Sequence, residues 1–251
     1  MTGSFVDDSG QLYLYGIVAA GTVLPEDFVG IEQREVTTVG EGSVAGLVTP
    51  LEPSDDFGTP DGLLAHSTVL DAVAREHAVL PMAFGTVVPG EAELIDEVLA
   101  PRHDEFTAAL ARVDDAVQFT LRARYRREEA LAQMVSEIPE VARLREAIAG
   151  TTEDETRSER IQLGELIVGA FDRMRPADSR QIVGALSSSA RDIVHREIGQ
   201  AEDIVEMAML VPRNGQAQFE EAVENVAAEL HTRIEFRLVG PQAPYDFVNG
   251  E

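Results

Sequence analysis

The apolar positions near the start of the chain predict a strand that is buried on both faces. From Leu12 to Ala19 both alternating sets of side chains are apolar, which is typical of a central strand with other layers on either side. One face is predicted to carry Leu12, Leu14 and Val18, and the other to carry Tyr13, Tyr15 and Ile17. We therefore expect structure to cover this strand from both sides.

The remainder of the first half predicts the other parts of a small α+β domain over residues 12–111. Apolar segments at 36–39 and 44–48 flank Gly40-Glu41-Gly42, which favours a hairpin. A helix should run from Asp61 to about His77, and another from Glu91 to Ala111. Pro101 should kink or split the second helix, because proline lacks the N–H that an inner turn requires.

Between these helices, the segment Val79 to Val88 reads as a strand that is interrupted by Pro81 and Gly85. Proline cannot donate to a strand ladder, so this strand is expected at a sheet edge or at a bulge. The order strand, hairpin, helix, strand, helix resembles a modified ferredoxin-like sandwich.

The second half predicts a second α+β domain, over residues 112–239. It begins with a strand at 117–125 that alternates apolar and polar positions, and helices follow to about residue 174. Pro176 is expected to start a new short helix. Strands at 192–198 and 204–211, a helix at 219–230 and a strand at 234–239 complete the pattern. Without the helical hairpin at 127–150 this order is βαββαβ, the ferredoxin-like pattern.

The two ends of the chain differ in character. Residues 1–11 are small or acidic and are expected to be disordered. The tail 240–251 contains two prolines, Tyr245 and Phe247. Proline stiffens the backbone and aromatic rings provide area to bury. The tail is therefore expected to be an ordered cover on its own protein, a hook for a partner, or both.

Charge and composition narrow the classes of function. The 251 residues contain 45 acidic and 20 basic residues, a formal net charge of −25, and every basic residue is arginine. Nucleic acids and anionic membranes require clustered positive charge, so neither is an expected partner. The absence of lysine excludes a P-loop lysine and Schiff-base chemistry. A G+C-rich genome or a salt-adapted host would each explain that absence.

Cysteine and long apolar runs are also missing from the sequence. The lack of cysteine excludes disulfides, thiolate metal sites and cysteine nucleophiles. No apolar run approaches the roughly 18 residues that span a bilayer, and the first residues lack the pattern of a secretion signal. We expect a cytoplasmic protein.

Candidate catalytic and metal-binding residues do not form a recognisable site. His66 and His77 lie near one helical face, but a rise of about 1.5 Å per residue separates them by roughly 16 Å, too far to share an ion. His103, His195 and His231 have no companion at ligand spacing. The glycine-rich segment 40–46 lacks the spacing of a dinucleotide loop. We therefore predict no catalytic residue, no metal, no cofactor and no enzyme activity.

Three segments together resemble the gas vesicle protein GvpF/GvpL family, with GvpF slightly favoured. They are the opening Leu12-Tyr13-Leu14-Tyr15-Gly16-Ile17-Val18, the middle Val79-Leu80-Pro81-Met82-Ala83-Phe84-Gly85-Thr86-Val87-Val88, and the tail Gly240-Pro241-Gln242-Ala243-Pro244-Tyr245-Asp246-Phe247-Val248. The family commonly reads Pro-Leu-Arg-Phe-Gly in the middle segment, whereas this chain has Met82 and Ala83 after Pro81. It also has Ala243 where the family often has a second proline.

The resemblance implies a non-enzymatic accessory or minor structural protein of gas vesicle assembly, located in the cytoplasm and at the gas vesicle. Its implied partners are the apolar shell subunit GvpA, whose aggregation it would limit during vesicle nucleation, and other accessory gas vesicle proteins. The residues that we predict to bind a partner are Pro81, Phe84, Gly85, Tyr245 and Phe247. The alternative is a ferredoxin-like domain that senses a small ligand between its helices and its sheet.

Overall fold

The chain forms two compact units. A computed structural model describes residues 10–52, 55 and 57–248. The N-terminal unit comprises Met1–Gln118 and Gly240–Glu251, and the C-terminal unit comprises Phe119–Val239. The boundary between the units therefore lies after Gln118, whereas the sequence placed it near residue 112. The C-terminal tail belongs to the N-terminal unit. Most of the N-terminal segment that was expected to be disordered, residues 1–9, lies outside the described residues.

The described part of the N-terminal unit is a mixed sheet-and-helix structure. Its sheet has the order β2-β3-β1-β4, and β5 also pairs with β1. The elements are β1 (Leu12–Ala19), β2 (Thr37–Glu41), β3 (Val44–Pro50), α1 (Pro60–Ala74), β4 (Val79–Pro81), β5 (Val87–Val88), α2 (Glu91–Glu93) and α3 (His103–Val113). The predicted hairpin is confirmed as β2 and β3, with Gly42 in the left-handed region at φ 62°.

The central strand is β1, and a bulge in it changes which side chains share a face. Residues 12–18 are all buried, which confirms the predicted burial on both sides. The register with β3 shifts between Leu14 and Gly16, and one extra residue reverses the face of every later side chain. Ile17 therefore lies in the same cluster as Leu14, and Val18 lies with Tyr13. The predicted assignment of Ile17 and Val18 to faces was wrong.

Each face of β1 is covered by a different helical layer. The cluster around Tyr13 includes Leu70 and Val73 of α1, and the cluster around Leu14 includes Phe106 and Leu110 of α3. Between α2 and α3 the backbone is π-helical over Leu94–Leu99 and 3-10 helical over Ala100–Arg102. The predicted split at Pro101 is confirmed.

Strand β4 forms an edge of the sheet, as the proline predicted. Pro81 pairs with Gly16 of β1, and the adjacent Met82 N–H donates to the Tyr15 carbonyl at 2.9 Å. In an antiparallel ladder, bonded and non-bonded pairs alternate, so the nitrogen of Pro81 faces away from β1. The missing N–H therefore costs no ladder bond, and it leaves the outer edge poorly suited to pair with another strand.

The described part of the C-terminal unit is a four-stranded sheet with helices. Its strand order is β7-β8-β6-β9. The elements are β6 (Ala116–Tyr125), α4 (Arg127–Glu137), α5 (Pro139–Ile148), α6 (Arg157–Leu186), β7 (Asp192–His195), β8 (Asp203–Pro212), α7 (Gln216–Leu230) and β9 (Ile234–Gln242). With α4 and α5 set aside, the connections follow the βαββαβ order that the sequence predicted.

The long helix α6 contradicts one expectation. Pro176 does not start a new helix, because α6 continues through it from Arg157 to Leu186. An internal proline removes a backbone hydrogen bond at a cost of about 3 kcal/mol. Buried residues on both sides of it, Phe171 before and Ile182 after, hold the segment as one helix. Tertiary packing here outweighs the local preference.

A buried carboxylate anchors α6 to its unit. Asp178 is 5% exposed and accepts hydrogen bonds from the Tyr125 hydroxyl and from Arg233 Nη1, both at 2.6 Å. Burial, together with the adjacent Asp178 carboxylate, raises the pKa of Tyr125, so that hydroxyl keeps its proton and donates.

Replacing this carboxylate should destabilise the C-terminal unit. We expect Asp178→Ala to lower the free energy of unfolding by about 3 kcal/mol, because it leaves a guanidinium and a buried hydroxyl without their acceptor. Asp172→Ala is the matched control on the same helix, since its pair with Arg175 is exposed and should contribute less than about 0.5 kcal/mol. Urea unfolding followed by circular dichroism measures both. Equal losses would contradict the anchoring role.

Candidate partner-binding surface

The loop 82–86 between β4 and β5 is held to β1 by the hydroxyl of Tyr13. That hydroxyl accepts a hydrogen bond from the Gly85 N–H at 3.0 Å and lies 2.9 Å from His66 Nδ1. Because the oxygen already accepts from Gly85, its own proton is available to Nδ1. The neutral imidazole then carries its proton on Nε2. One hydroxyl thus joins the loop, the central strand and α1.

Phe84 fixes the loop through an aromatic cluster. Its ring centroid lies 5.6 Å from His66 and 6.4 Å from Tyr13. Tyr15 stacks on His66 at 5.8 Å, and Phe57 meets Tyr13 edge-on at 5.3 Å. Such contacts add stability beyond the area that they bury. The half-buried ring of Phe84 therefore holds the loop against Tyr13 of β1 and His66 of α1.

His66 is a buried neutral histidine. It is 2% exposed, and burial lowers its pKa to about 4, opposed in part by the nearby Met82 backbone. Nε2 makes no hydrogen bond to the part of the chain that the structure describes. Burial also raises the pKa of Tyr13 to about 12. The sequence placed His66 on the apolar face of a helix, but it gave no sign of the link to Tyr13 and Gly85.

Gly85 and Pro81 occupy opposite environments in this segment. Gly85 is exposed and has φ 87°, a left-handed conformation that other residues rarely adopt. A Cβ at this position would meet nothing within 4 Å, so the backbone angle, and not space, requires glycine. Pro81 is buried beside Gly16.

The C-terminal tail completes the core of the N-terminal unit. Ala243 is fully buried, and its N–H donates to Asp71 Oδ1 of α1 at 2.8 Å. Two hydrogen bonds join Asp246 to Gln118: the side-chain amide donates to the carboxylate at 2.6 Å, and the Asp246 N–H donates to Gln118 Oε1 at 3.0 Å. The tail is therefore tied down by specific polar contacts as well as by packing.

The tail contacts both faces of the sheet. Tyr245 packs against the Tyr13 cluster, whereas Phe247 and Val248 pack against the Leu14 cluster on the other face. Val248 also lines a groove together with Leu80 and Pro81 of β4. The tail therefore reaches both faces of the sheet of its unit.

A groove of about 530 Å³ runs between β4 and α3 and is bounded by Val248. We call it the edge groove. Its apolar lining residues are Leu80, Pro81, Met82, Ala83, Phe106, Ala108, Ala109 and Val248, and its charged ones are Arg102, Glu105 and Arg112. Of the residues predicted to bind a partner, Pro81 lines this groove, and Phe247 packs into the same apolar cluster as Met82.

The C-terminal unit has an apolar groove of its own, of about 520 Å³, between α4, α5 and α6. We call it the helix groove. Most of its lining is aliphatic, with Glu128 and Arg145 as the charged members. No histidine lines either groove.

Three of the described histidines, His66, His103 and His231, make hydrogen-bond contacts within the chain. Nε2 of His103 accepts from the Ser43 N–H at 3.2 Å and lies 3.0 Å from the Ser43 hydroxyl. Within the described part of the chain, no group of three or more His, Asp or Glu side chains is placed to hold a metal ion. The helices in that part are also too short or too polar to cross a membrane.

Comparison with known proteins identifies the family. The family described as "Gas vesicle synthesis protein GvpL/GvpF" matches residues 11–249. Gas vesicle protein F of Streptomyces sp. (strain CB03234) is 28% identical over 239 residues, which cover 94% of this chain and 98% of that protein. The chain belongs to the GvpL/GvpF family of gas vesicle proteins.

Solved structures show the same fold. The crystal structure of GvpF from Anabaena sp. PCC7120 superposes with a TM-score of 0.80 at 20% identity, covering 97% of this chain and all of that one. GvpF from Microcystis aeruginosa gives 0.76 at 20% identity, with 95% and 99% covered. The α+β fold class and the predicted resemblance are confirmed. The family serves gas vesicle synthesis, and the relatives carry the names of gas vesicle proteins and not of enzymes.

The buried histidine predicts a specific loss of stability in acid. With an unfolded pKa near 6.5 and a folded pKa of about 4, the unfolded chain binds a proton that the folded chain does not. Stability should therefore fall as the pH drops from about 6.5 to about 4, by up to roughly 3 kcal/mol from this group. His66→Asn keeps an acceptor for Tyr13 but does not titrate in this range.

Urea unfolding at a series of pH values measures the effect. The difference in unfolding free energy between the wild type and His66→Asn should shrink steadily as the pH falls through this window. His195→Asn, at an exposed position of the C-terminal unit, is the control and should follow the wild type. A difference that does not change with pH would show that His66 is not held neutral.

Proposed function

We propose that this chain binds the gas vesicle shell subunit GvpA through the edge groove and limits its aggregation during vesicle nucleation. The protein would act without catalysis and would also contact other accessory gas vesicle proteins. The supporting observation is the apolar groove, which a strand edge, a helix face and the folded-back tail build together in a member of a gas vesicle synthesis family.

The physical task matches the groove. A subunit that forms a gas-facing wall must expose apolar surface, and in water such surface drives association. Pro81 makes the β4 edge poorly suited to pairing with another strand. A partner would therefore bury apolar side chains in the groove and would not extend the sheet. The groove is lined in part by the small side chains of Ala83, Ala108 and Ala109. A partner could therefore approach the backbone of the groove closely.

The charge of the N-terminal unit supports a solubilising role. This unit contains four arginines and 23 acidic residues, a formal charge of −19, whereas the C-terminal unit carries only −6. Like charge keeps protein copies apart in solution. A shell subunit seated in the edge groove would be carried by the more strongly charged half of the molecule, so complexes would repel one another.

The residues predicted from the sequence take different parts in this proposal. Pro81 is buried, but it lines the edge groove and would form part of the base on which the partner sits. Gly85 would provide the left-handed backbone conformation that its loop requires. Phe247 is half-buried on the same face as the groove and would support it from the side of the tail. Phe84 and Tyr245 are half-buried on the opposite face, where they would hold the loop and the tail in place. Removing the tail is therefore a poor test of contact, since it also removes the buried Ala243.

A single bulky side chain in the groove provides a cleaner test. Ala108 is an exposed residue of α3 in the edge groove, and Ala132 is an exposed residue of α4 in the helix groove. We expect Ala108→Trp to reduce capture of co-expressed, tagged GvpA at least about tenfold, equivalent to 1.4 kcal/mol. Ala132→Trp, the matched control, should capture GvpA as the wild type does.

Light scattering tests the second half of the proposal. GvpA diluted from denaturant should scatter less when wild-type protein or Ala132→Trp is present, and Ala108→Trp should give little protection. Failure of the wild type to capture GvpA would contradict the proposed function. Loss of capture in Ala132→Trp alone would instead move the binding site to the helix groove.

A further inference from the structure

Helix α6 carries exposed aliphatic side chains along one side of its first half. Ile161 is 56% exposed and Val168 is 45% exposed. They are seven residues apart, so they lie on one side of the helix, about 10 Å apart along its axis. The exposed Gly164 lies between them on that side. We call Ile161, Gly164 and Val168 the α6 stripe. Two exposed aliphatic side chains alone are ordinary, so the charges beside them decide the interpretation.

Charged side chains of opposite sign lie at the two ends of the α6 stripe. Arg157 precedes Ile161 by four residues, and Asp172 follows Val168 by four residues. A spacing of four places each charge on the same side of the helix as its aliphatic neighbour. Both charged side chains are exposed. Asp172 pairs with Arg175 of its own helix at 2.7 Å, and an exposed carboxylate can accept from a second donor as well.

This order of residues is complementary to itself when two helices lie antiparallel. A register that places Ile161 opposite Val168 of a second copy also places Arg157 opposite Asp172 of that copy. Each pairing then occurs twice, because a two-fold axis exchanges the copies and makes the contact isologous. The axis passes between residues 164 and 165. A Cβ added at Gly164 would meet nothing within 4 Å, so the two backbones can approach closely there.

The distribution of charge favours contact between copies through the C-terminal unit. The N-terminal unit has a formal charge of −19 and the C-terminal unit only −6. Copies that meet through α6 therefore make contact through the less strongly charged part of each chain. A contact between two helices over about four turns is smaller than a standard interface of about 1,200 Å² or more. We therefore expect the association to be weak and to depend on protein concentration.

We infer that two copies of this chain associate through antiparallel α6 helices, with the α6 stripe of one copy packed on that of the other. This inference is independent of the proposed function, because it concerns the C-terminal unit and requires no shell subunit. It adds one consequence to that function. A dimer carries two edge grooves, so it would hold an assembly of shell subunits more tightly than a single chain does.

Analytical ultracentrifugation of the full chain measures the association. In about 150 mM NaCl, which screens the net charge, the wild-type mass should rise with concentration from that of one chain toward that of two. Ile161→Asp places an unpaired charge in the contact and should weaken association at least about tenfold. Ile198→Asp is the matched control, because Ile198 is an exposed isoleucine of the same unit outside α6. It should associate as the wild type does.

Opposite charge reversals test the register. Arg157→Asp gives a chain with an anion at both ends of the α6 stripe, and Asp172→Arg gives a chain with a cation at both ends. Either variant alone should associate at least about threefold more weakly than the wild type. An equimolar mixture of the two should recover the association, because each anion then meets a cation. Urea unfolding of each variant checks that the fold is retained.

An introduced cysteine locates the two-fold axis. The chain contains no cysteine, so a disulfide in a single-cysteine variant must join two copies. Gly164→Cys lies beside the proposed axis. Gly184→Cys, the matched control, lies about 30 Å away on the same helix, also at an exposed glycine with open space. Under mild oxidation Gly164→Cys should form linked dimers at least about tenfold faster than Gly184→Cys.

Each measurement has an outcome that would overturn the inference. A wild type that keeps the mass of one chain up to about 300 µM would do so, and so would a mass that grows beyond two chains. Association that Ile161→Asp weakens no more than Ile198→Asp does would place the contact elsewhere. Equal linking of the two cysteine variants, or a charge-reversed mixture that does not associate, would contradict the register. None of these results depends on capture of GvpA, so the proposed function stands or falls separately.

Discussion

The structure of the N-terminal unit depends on one strand that is apolar on both faces. Residues 12–18 of β1 are all buried, so neither side can be left to water without losing most of the hydrophobic stabilisation of the unit. Helix α1 covers one face and the helical stretch from α2 to α3 covers the other. The tail supplies the rest of the apolar cover of this sheet, with Tyr245 on the first face and Phe247 on the second.

The edge groove follows from this arrangement. Strand β4 ends at Pro81, where the chain enters the loop that Tyr13, His66 and Phe84 hold in place, and the tail packs on both faces of the sheet. The edge groove lies between that edge and α3. Two of the four arginines of the unit, Arg102 and Arg112, line this groove beside its apolar residues.

The local patterns of the sequence predicted much of this fold, and the long-range contacts lay beyond them. A continuous apolar run predicted β1, and Pro101 predicted the broken helix, because both signals act within a few residues. The bulge after Leu14 and the continuous helix through Pro176 depend on tertiary packing, which local preference does not contain. For the partner-binding surface, the sequence predicted Pro81, Phe84, Gly85, Tyr245 and Phe247, and of these Pro81 lines the edge groove. It could not indicate the hydrogen bond between Ala243 and Asp71, or that α3 and β4 line one groove, because these features join distant parts of the chain.

The central claim is that the tail is part of the core of the N-terminal unit. Hydrogen exchange followed by mass spectrometry, on the intact chain and on a chain cut after Val239, tests it most directly. Removing Ala243, Tyr245 and Phe247 uncovers both faces of the sheet, so the amides of β1 should exchange at least about tenfold faster. The amides of β8 in the C-terminal unit provide the internal reference. Unchanged protection of β1 in the shortened chain would contradict the account.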